Sequence, residues 1–342
     1  METKLFKIES VNNTDKINAV SKILSDGGLV AIPTETVYGL AANALDPKAV
    51  RSIFEAKGRP QDNPLIVHIS ELSQLYPLVK SVSETALKLA NEFWPGPLTM
   101  IFDKSDIIPE EVSCGLKTVA VRMPSHPIAR AIISQSKLPL AAPSANTSGK
   151  PSPTKAEHVM HDMNGKIDAV VDGGMCEVGV ESTVISLLDN GAKILRPGGI
   201  TKEMLESVVE NVEVDDAVFA ELKKGEKPSS PGMKYKHYSP SSDVFIVKGS
   251  LDDFVRYVSD FNGESVAAVC FDGEESKIPI PCKTFGRKEC PEEQANALFD
   301  VLREYDDGNI QRIYVRCPDE NGIGMAVMNR LLRAAAFRVI EL

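Results

Sequence analysis

Cysteine is scarce in this sequence and shows no pairing pattern. Six cysteines are spread over 342 residues, and no two of them form a C-x-x-C pair. Their wide separation excludes the ligand spacing of a zinc site, so we expect reduced, mostly buried thiols and no metal centre built from side chains. The cysteines are Cys114, Cys176, Cys270, Cys282, Cys290 and Cys317.

Long apolar runs and an excess of positive charge are also missing. No stretch approaches the length needed to span a bilayer, and the first ten residues lack the apolar core of a signal peptide. The formal net charge is -10, which offers no overall basic field to a nucleic-acid backbone. We therefore expect a cytoplasmic protein without membrane contact, in which only a local basic patch could bind nucleic acid.

Two catalytic motifs that are common in α/β enzymes are absent. The dipeptide Gly149-Lys150 is followed by Pro151, and Ser144 stands where a Walker A motif needs its first glycine. No G-x-S-x-G nucleophile elbow is present. The sequence thereby excludes a P-loop and the nucleophile of a serine hydrolase.

The chain has enough length and apolar content for two domains. It contains 342 residues, of which 43% are hydrophobic, and one core rarely grows to that size. Predicted strands alternate with helices, which is typical of the α/β class. We predict a first domain over 1–212, a linker rich in proline, glycine and serine over 213–242, and a small parallel-sheet α/β domain over 243–342.

The stretch LVAIPTETVYGLAANALD at 29–46 organises the first domain. Its first four residues predict a buried strand that ends at Pro33. Thr34, Glu35 and Thr36 then place hydroxyls and a carboxylate where a strand meets a loop, the usual position of ligand-holding groups in α/β proteins. A simple capped turn is the alternative interpretation.

Capping signals mark several predicted helices. Thr14 or Asp15 is expected to cap the first helix, and Thr154 with Glu157 to form a capping box for a later one. Each of these residue types can accept a hydrogen bond from a free N–H of the first helical turn.

The second helix carries two candidate functional residues at its end. Asp46 and Pro47 are a favoured cap and first-turn pair, and the apolar stripe that follows ends near Gly58. The helix therefore delivers Lys57 and Arg59 to the loop beyond it.

Polar groups also stand near the ends of other predicted strands. His68 is near the end of PLIVHI, Arg122 ends TVAVR, and the polar segment PSANTSGKPSPT follows the apolar residues 138–142. Strand ends of an open α/β sheet can converge on one crevice.

Four cations stand out among these residues, with hydroxyls and amides between them: Lys57, Arg59, Arg122 and Arg196. Such groups suit a carboxylate, a phosphate or both, and an enzyme built from them would work by positioning and charge stabilisation. Structural explanations are also open, since the lysine and its neighbour can cover a helix C-terminus and the arginines can form ion pairs. Residue patterns alone predict an anion-binding α/β enzyme.

Short motifs then run in order along the whole chain. They are PTETVYGL at 33–40, KGRPQDNPLIVHI at 57–69, WPGPLT at 94–99, TVAVRMPSHPIA at 118–129, APSANTSGKPSPT at 142–154, ESTVI at 181–185 and LRPGG at 195–199. Together they resemble the YrdC family, and SPGMKYKHYSP at 230–240 before an α/β domain is similar to the longer Sua5 branch. The resemblance implies a YrdC-like twisted mixed sheet with helices on its faces, followed by a small C-terminal Rossmann-like α/β domain.

The same resemblance implies a reaction. Family members are L-threonylcarbamoyladenylate synthases, nucleotidyltransferases that convert L-threonine, bicarbonate or CO2, and ATP to threonylcarbamoyl-AMP and pyrophosphate. The product serves the N6-threonylcarbamoyladenosine modification at position 37 of tRNA. ATP with magnesium, a downstream threonylcarbamoyl transferase and a contact with tRNA are therefore expected.

Matching the family motifs residue by residue gives the expected site. Lys57 and Arg59 of the K-x-R motif would grip the ATP phosphates and act in catalysis. The implied L-threonine contacts are Thr34, His68, Arg122, Ala142 and Ser182. The implied ATP contacts are Lys57, Arg59, Asn63, Thr118, Ser144, Asn146, Ser152, Arg196 and Tyr235. Tyr235 belongs, with Lys236 and His237, to a linker that would fold back over the pocket as a lid.

Two other classes of function stay open on sequence. A nucleic-acid-binding module would rest on a local basic face of the first domain. The second domain could be a scaffold for oligomerisation or for docking the transferase, since its sequence offers no comparable set of polar groups.

Overall fold

A mixed sheet of eleven strands forms the centre of the first part of the chain. The structure is a computed structural model that describes residues 2–220, 238–306 and 308–342. The strands of this sheet are β1 (Lys4–Lys7), β2 (Val30–Ile32), β3 (Gly39–Asn43), β4 (Ile66–His68), β5 (Leu98–Asp103), β6 (Thr118–Arg122), β7 (Leu140–Ala141), β8 (Ala169–Asp172), β9 (Thr183–Leu188), β10 (Gly191–Arg196) and β11 (Asn211–Val214). Their order across the sheet is β1-β8-β2-β3-β7-β4-β6-β5-β9-β10-β11, with parallel and antiparallel neighbours.

Helices cover the faces of this sheet. They are α1 (Thr14–Ser25), α2 (Pro47–Lys57), α3 (Glu84–Phe93), α4 (Glu110–Ser113), α5 (Pro127–Ser136), α6 (Ala156–Met163) and α7 (Lys202–Glu206). One apolar cluster includes residues of α2 and α3, and another lies under α1 and α5. Burial of apolar residues on both sides explains why the central strands are continuous apolar runs.

A second sheet of five parallel strands follows. Its strands are β12 (Asp243–Lys248), β13 (Val266–Cys270), β14 (Cys282–Thr284), β15 (Arg312–Arg316) and β16 (Val339–Glu341), in the order β14-β13-β15-β12-β16. Its helices are α8 (Leu251–Ser259), α9 (Pro291–Glu304) and α10 (Gly324–Ala334). The predicted α/β class, with a mixed first sheet and a small parallel second sheet, is confirmed.

The capping of α2 is also as predicted. The Asp46 side chain accepts a hydrogen bond of 2.8 Å from the N–H of Lys48, Pro47 is the first helical residue, and Gly58 ends the helix at φ 61°. Glycine takes this left-handed conformation without strain. Lys57 is therefore the last helical residue, held by a well-defined helix end.

Two capping predictions were wrong. At α1 the N-cap position is Asn13, and no side chain caps the helix. At α6 the N-cap position is Lys155, so Thr154 lies one residue too early, and its hydroxyl makes no hydrogen bond within the described residues. A capping box requires the hydroxyl at the cap itself, and here the chain enters the helix one residue later than the motif indicates.

The two sheet domains are packed against each other through α9 and α10. Val37 and Val180 of the first domain belong to the same apolar cluster as the residues of these helices. Ion pairs surround this contact, such as Lys155 Nζ to Asp300 at 2.6 Å and Arg303 Nη2 to Asp162 at 3.0 Å. Val37 directly follows the Thr-Glu-Thr segment, so the second domain abuts the segment that organises the first.

Within the described ranges, none of the helices has the length and apolar character needed to cross a membrane.

Candidate active site

Strand register brings several predicted site residues to one edge of the first sheet. His68 of β4 is paired with Arg122 of β6, and Arg122 with Thr99 of β5. Thr99 is paired in turn with Val184 of β9, and Val184 with Arg196 of β10. Because β9 runs antiparallel to β6, the start of β9 lies at the same edge as the end of β6, which is where ligand crevices form in α/β sheets.

A cavity of about 750 Å³ opens at this edge. Its walls include the predicted residues Thr34, Lys57, Arg59, His68, Arg122, Ala142, Ser144, Asn146, Ser182 and Arg196. Residues far apart in sequence are thus brought into one site by the sheet topology.

The cavity is cationic although the whole chain is acidic. Lys57, Arg59, Arg122, Lys150 and Arg196 line it, and the sole acidic residue among its described lining is Glu181. The formal net charge of the chain is -10. Positive groups concentrated in a concave site favour an anionic ligand with phosphate or carboxylate groups.

Thr34, Thr36 and Arg122 form a hydrogen-bonded cluster at one end. The Thr34 hydroxyl lies 2.8 Å from that of Thr36 and donates to the carbonyl of Val37 at 2.6 Å. Arg122 Nη1 donates to the Thr36 hydroxyl at 2.8 Å. The Nε atom of Arg122 is buried and makes no hydrogen bond within the described residues, so the guanidinium retains a donor for a carboxylate.

Glu35 supplies the counter-charge behind Arg122. Its Oε1 lies 2.7 Å from Arg122 Nη2, and both side chains are 4% exposed. Burial opposes ionisation of Glu35, but the charge of Arg122, the contact with its guanidinium and backbone hydrogen bonds together hold the pKa of Glu35 below its ordinary value. The guanidinium is thereby fixed between Glu35 and Thr36, with its Nε left over.

His68 is neutral at physiological pH. Burial, with the charge of Arg122, lowers the pKa of His68 to about 3. Its Nδ1 lies 3.2 Å from the carbonyl of Ile66, an acceptor, which assigns the ring proton of the neutral form to Nδ1. The Nε2 atom is then a hydrogen-bond acceptor, suited to a donor such as an amine or hydroxyl.

The His68→Asn variant should lose part of the pH dependence of stability. An unfolded histidine has a pKa of about 6.5, so between pH 6.5 and 3 the unfolded chain binds a proton that the folded chain refuses. The free energy of unfolding should therefore fall on acidification by up to about 1.4 kcal/mol per pH unit from this residue alone. Urea unfolding between pH 6.5 and 5 measures the slope, which the variant should flatten.

His126, a second histidine with a lowered pKa, does not disturb this comparison. Burial lowers its pKa as well, and it remains in both proteins, so it cancels from the comparison. Glu35 has a lowered pKa, so it changes the pH dependence of the free energy of unfolding only below about pH 4.5. Equal slopes for the two proteins would contradict the assignment of His68 as neutral.

Lys57 holds the loop after β7. Its Nζ donates to the carbonyls of Ser144 at 2.5 Å and Asn146 at 2.6 Å. Burial, with the nearby charge of Arg59, holds the pKa of Lys57 well below its ordinary value. The Asn146 side chain donates to the carbonyl of Lys150 at 2.8 Å, which closes the loop further. In this structure the lysine fixes the S-x-N loop as well as lining the cavity.

Arg59 lies half-buried at the other end of the cavity. Its Nη2 donates to the carbonyl of Asn63 at 3.0 Å, and its guanidinium carbon lies 5.9 Å from the centre of the Phe54 ring. These contacts orient the planar group without neutralising its charge.

Ser182 and Arg196 form the third wall. Arg196 donates through Nε at 3.1 Å and Nη2 at 2.9 Å to the Ser182 carbonyl, and through Nη2 to its hydroxyl at 3.1 Å. The Thr99 hydroxyl lies 2.8 Å from the Ser182 hydroxyl. The start of β9 and the end of β10 are thereby held together at the cavity.

Some predicted residues are placed elsewhere. Asn63 is buried beside the cavity and Ser152 donates to Glu181, but neither lines it. Thr118 is paired with Asp103 at the end of β6 opposite Arg122. Tyr235 and its two neighbours in the predicted lid lie outside the described residues.

Sequence reasoning did not single out several polar residues that line the cavity, among them Ser148, Glu181 and Tyr238. All three lie within motifs noted in the sequence, but motif matching singled out their neighbours. Tyr238 directly follows the undescribed part of the linker and lines the cavity. A hydroxyl, a carboxylate and a phenol are thereby added to the cationic wall.

Comparison with known proteins supplies independent findings. A family model of Sua5, YciO and YrdC proteins, described as telomere recombination, matches residues 22–198, and the model of the threonylcarbamoyl-AMP synthase C-terminal domain matches 200–336. The threonylcarbamoyl-AMP synthase of Bacillus subtilis is 45% identical over an alignment of 349 positions that covers 100% of each chain. That of Pyrococcus abyssi is 45% identical over 335 positions, covering 95% of this chain and 96% of its own.

A solved structure agrees with the sequence matches. The structure of P. abyssi Sua5 complexed with L-threonine has a TM-score of 0.92 and 43% identity, and the match covers 100% of both chains. Identity at this level over the full length, with both family models matched in order, establishes membership. The chain therefore belongs to the Sua5 branch of the YrdC family, the threonylcarbamoyl-AMP synthases.

Proposed function

We propose that the cavity binds L-threonine and ATP side by side and joins them, through bicarbonate or CO2, into threonylcarbamoyl-AMP with release of pyrophosphate. The observation that carries this assignment is one cationic cavity whose walls combine Arg122, beside Thr36 and His68, with Lys57 and Arg59. An amino acid carboxylate and a triphosphate are the two anions that this reaction must hold.

The Arg122 end is assigned to L-threonine. Arg122 has a buried Nε left over for the carboxylate, and the neutral His68 offers an acceptor to the amine. Thr34, Ala142 and Ser182 complete this group in the proposal. The structure of the Pyrococcus relative complexed with L-threonine supports this choice of ligand.

The Lys57 end is assigned to ATP. Lys57 and Arg59 would neutralise charge on the phosphates, Ser144 and Asn146 would contact the nucleotide, and Arg196 would complete the wall. Asn63, Thr118, Ser152 and Tyr235 belong to the same proposal on family resemblance. Since Asn63, Thr118 and Ser152 do not line the cavity, the nucleotide would have to extend beyond it or the chain would have to close over it.

The chemistry uses positioned charges without a covalent enzyme intermediate. The threonine amine attacks the carbon of CO2, or of bicarbonate with loss of water, and gives up a proton to form a carbamate. A carbamate oxygen then attacks the α-phosphorus of ATP in line, and the bond to pyrophosphate breaks. Exclusion of water protects the carbamoyl adenylate from hydrolysis.

Magnesium enters this proposal as part of the substrate. The described residues contain no group of three histidine, cysteine, aspartate or glutamate side chains that could hold a metal ion. Magnesium typically binds through substrate phosphates and one or two carboxylates, and the only acidic side chain in the described lining, Glu181, is already paired. MgATP, with the ion carried on its phosphates, therefore fits the donor set better than a resident metal.

The linker and the domain limits belong to the same proposal. We assign 1–212 to catalysis, 213–242 to a lid, and 243–342 to the C-terminal domain. The separate sheets support two domains, but β11 continues the first sheet to Val214, two residues beyond the first limit. Tyr238 lines the cavity, which fits closure by the linker. All six cysteines are free thiols, which fits a reducing cytoplasm. We further propose that the product passes to a threonylcarbamoyl transferase acting on tRNA, with any tRNA contact confined to local basic surface.

Release of pyrophosphate with one component omitted at a time tests this function. We expect release to require ATP, magnesium, L-threonine and bicarbonate together. The Arg59→Ala variant should lose about 100-fold or more in rate, as expected for removing one charge that stabilises the transition state. Arg51→Ala is the matched control, because Arg51 lies on α2, the helix that ends just before Arg59, and pairs with Glu111 outside the cavity lining.

Two results would contradict the proposal. Release that does not depend on threonine would indicate another ATP-hydrolysing or adenylate-forming activity. Absence of release, with salt-sensitive tRNA binding intact, would favour the nucleic-acid-binding module instead.

A further inference from the structure

Arg330 is the largest fully buried side chain of the described residues, and it comes from the C-terminal domain. It lies on α10 with 0% exposure and does not line the cavity. A buried arginine is costly unless its donors are paired, so its partners identify what it holds in place.

Those partners are in the first domain. Arg330 Nε donates to Glu181 Oε2 at 2.6 Å, and Nη2 donates to the Glu181 carbonyl at 3.2 Å. Its Nη1 donates to the Pro197 carbonyl at 2.9 Å and to Asn329 Oδ1 at 2.9 Å. One guanidinium thus bridges two separate segments of the catalytic domain.

The two segments flank residues of the site. Glu181 immediately precedes Ser182, and Pro197 immediately follows Arg196. The other Glu181 oxygen, Oε1, accepts a hydrogen bond from Ser152. Every direct partner of Arg330 in the first domain is therefore next to, or bonded to, a residue that the proposed function assigns to a substrate.

The chain passes closely at this point. A Cβ atom added to Gly198 would lie 2.3 Å from the Thr183 nitrogen and 2.5 Å from the Glu181 carbonyl oxygen. Such contact leaves no room for a side chain, so the two segments are in backbone contact beneath the cavity. Arg330 therefore bridges two segments that are already tightly packed against each other.

Charge is balanced around Glu181. Burial opposes ionisation of this carboxylate, but Arg330 and then Arg196 hold the pKa of Glu181 below its ordinary value. Tyr238 lies under the guanidinium of Arg330, 5.7 Å from carbon to ring centre, and itself lines the cavity. The guanidinium thereby touches the catalytic wall and the end of the linker at once.

We infer that Arg330 is a positioning residue for the synthase reaction. From the C-terminal domain it clamps Glu181 and Pro197, and so holds Ser182, Arg196 and Ser152 in the arrangement that the substrates need. This inference rests on the proposed function of the cavity. It makes the C-terminal domain part of the active site, although none of the residues of α10 reaches the substrates.

The Arg330→Met variant tests this role against a matched control. Arg316→Met removes another buried arginine of the C-terminal domain, whose Nε donates to Glu274 Oε2 at 3.1 Å and whose Nη1 donates to the Gly249 carbonyl at 2.9 Å, both within that domain. We expect Arg330→Met to lower kcat/KM for ATP by about 30-fold or more and Arg316→Met by less than about threefold, because only the first breaks the buried pair with Glu181. Equal losses in both would overturn the inference, since Arg330 would then be an ordinary structural residue.

A double-mutant cycle tests whether Arg330 acts through Glu181. If it does, the double variant Arg330→Met with Glu181→Gln should be no less active than the worse single variant. Multiplied losses would overturn the inference. Should Arg330→Met not fold, Arg330→Lys carries the comparison, because it keeps a charge beside Glu181 but cannot bridge to Pro197. We expect it to lose about tenfold at an almost unchanged Tm, and full activity would count against the clamp.

A measurement of nucleotide binding distinguishes failure of this inference from failure of the proposed function. Calorimetry with α,β-methylene-ATP should show weaker binding for Arg330→Met than for Arg316→Met, whether or not the chain turns over threonine. Equal affinities would overturn the role of Arg330. By contrast, threonine-independent pyrophosphate release by the unchanged protein would count against the proposed function alone.

Discussion

Replacement of Arg122 by methionine is expected to reduce threonine-dependent pyrophosphate release by about a thousandfold or more. Arg122 lines the cavity together with Thr34, its buried Nε has no hydrogen-bond partner within the described residues, and a guanidinium is well suited to an amino acid carboxylate. Loss of the carboxylate contact misplaces the amine that must form the carbamate, so kcat should fall and KM for threonine should rise. Steady-state kinetics with threonine as the varied substrate measure the effect.

The same change also leaves Glu35 buried without its counter-charge. Breaking a buried ion pair at one partner typically costs about 3 to 5 kcal/mol, so a loss of activity could come from unfolding. The double variant Arg122→Met with Glu35→Gln removes both charges and should regain most of the Tm. Its activity should stay low. Recovery of threonine-dependent turnover in the double variant would show that Arg122 serves the fold alone.

Much of this site could be predicted because its residues belong to regular local patterns. The cap at Asp46 and the stop at Gly58 fix where Lys57 leaves its helix, and the alternation in TVAVR fixes the end at which Arg122 stands. Both inferences use only local chemistry, which is the part of folding that sequence patterns report well.

The burial of individual side chains, and the contacts between segments that are far apart in the sequence, were not predictable in the same way. Lys57 has a lysine's usual sequence context at a helix end, yet its ammonium is buried against two carbonyls of the loop after β7. Strand β3, GLAAN, was missed because small residues without alternation carry no strand signal, although it is buried in the middle of the sheet. Such features depend on which strands become neighbours.

The role of the second domain was hidden for a related reason. Asn329, Arg330 and Arg333 on α10 resemble a solvated helix face in sequence, because charged residues are mostly exposed. In the structure that face is buried against the first domain, and its polar groups are paired across the contact. The sequence contains the arginine, but only the domain contact shows that it reaches the catalytic segments.

Removal of the C-terminal domain is the second large effect expected. In a chain that ends at residue 220, Glu181 loses its ion pair with Arg330 and Asp162 loses its ion pair with Arg303. Val37 loses the helices that cover it. The freed carboxylates become hydrated, which limits the loss of stability, but the newly exposed apolar surface carries no such compensation. We expect turnover to fall by about 100-fold or more while a folded core remains, because the clamp and Tyr238 are both lost from the cavity.

Pyrophosphate release, circular dichroism and dye binding on the truncated chain measure these outcomes. The control is the full chain with Asp300→Asn, which weakens the pair with Lys155 at 2.6 Å and the contact with His158 at 3.1 Å but leaves the clamp intact. It should keep near-normal activity, because partly exposed ion pairs contribute little. A truncated chain that is folded and fully active would show that the second domain is only a docking module. A folded, inactive one would place the active site across both domains, with the contact between them serving catalysis directly.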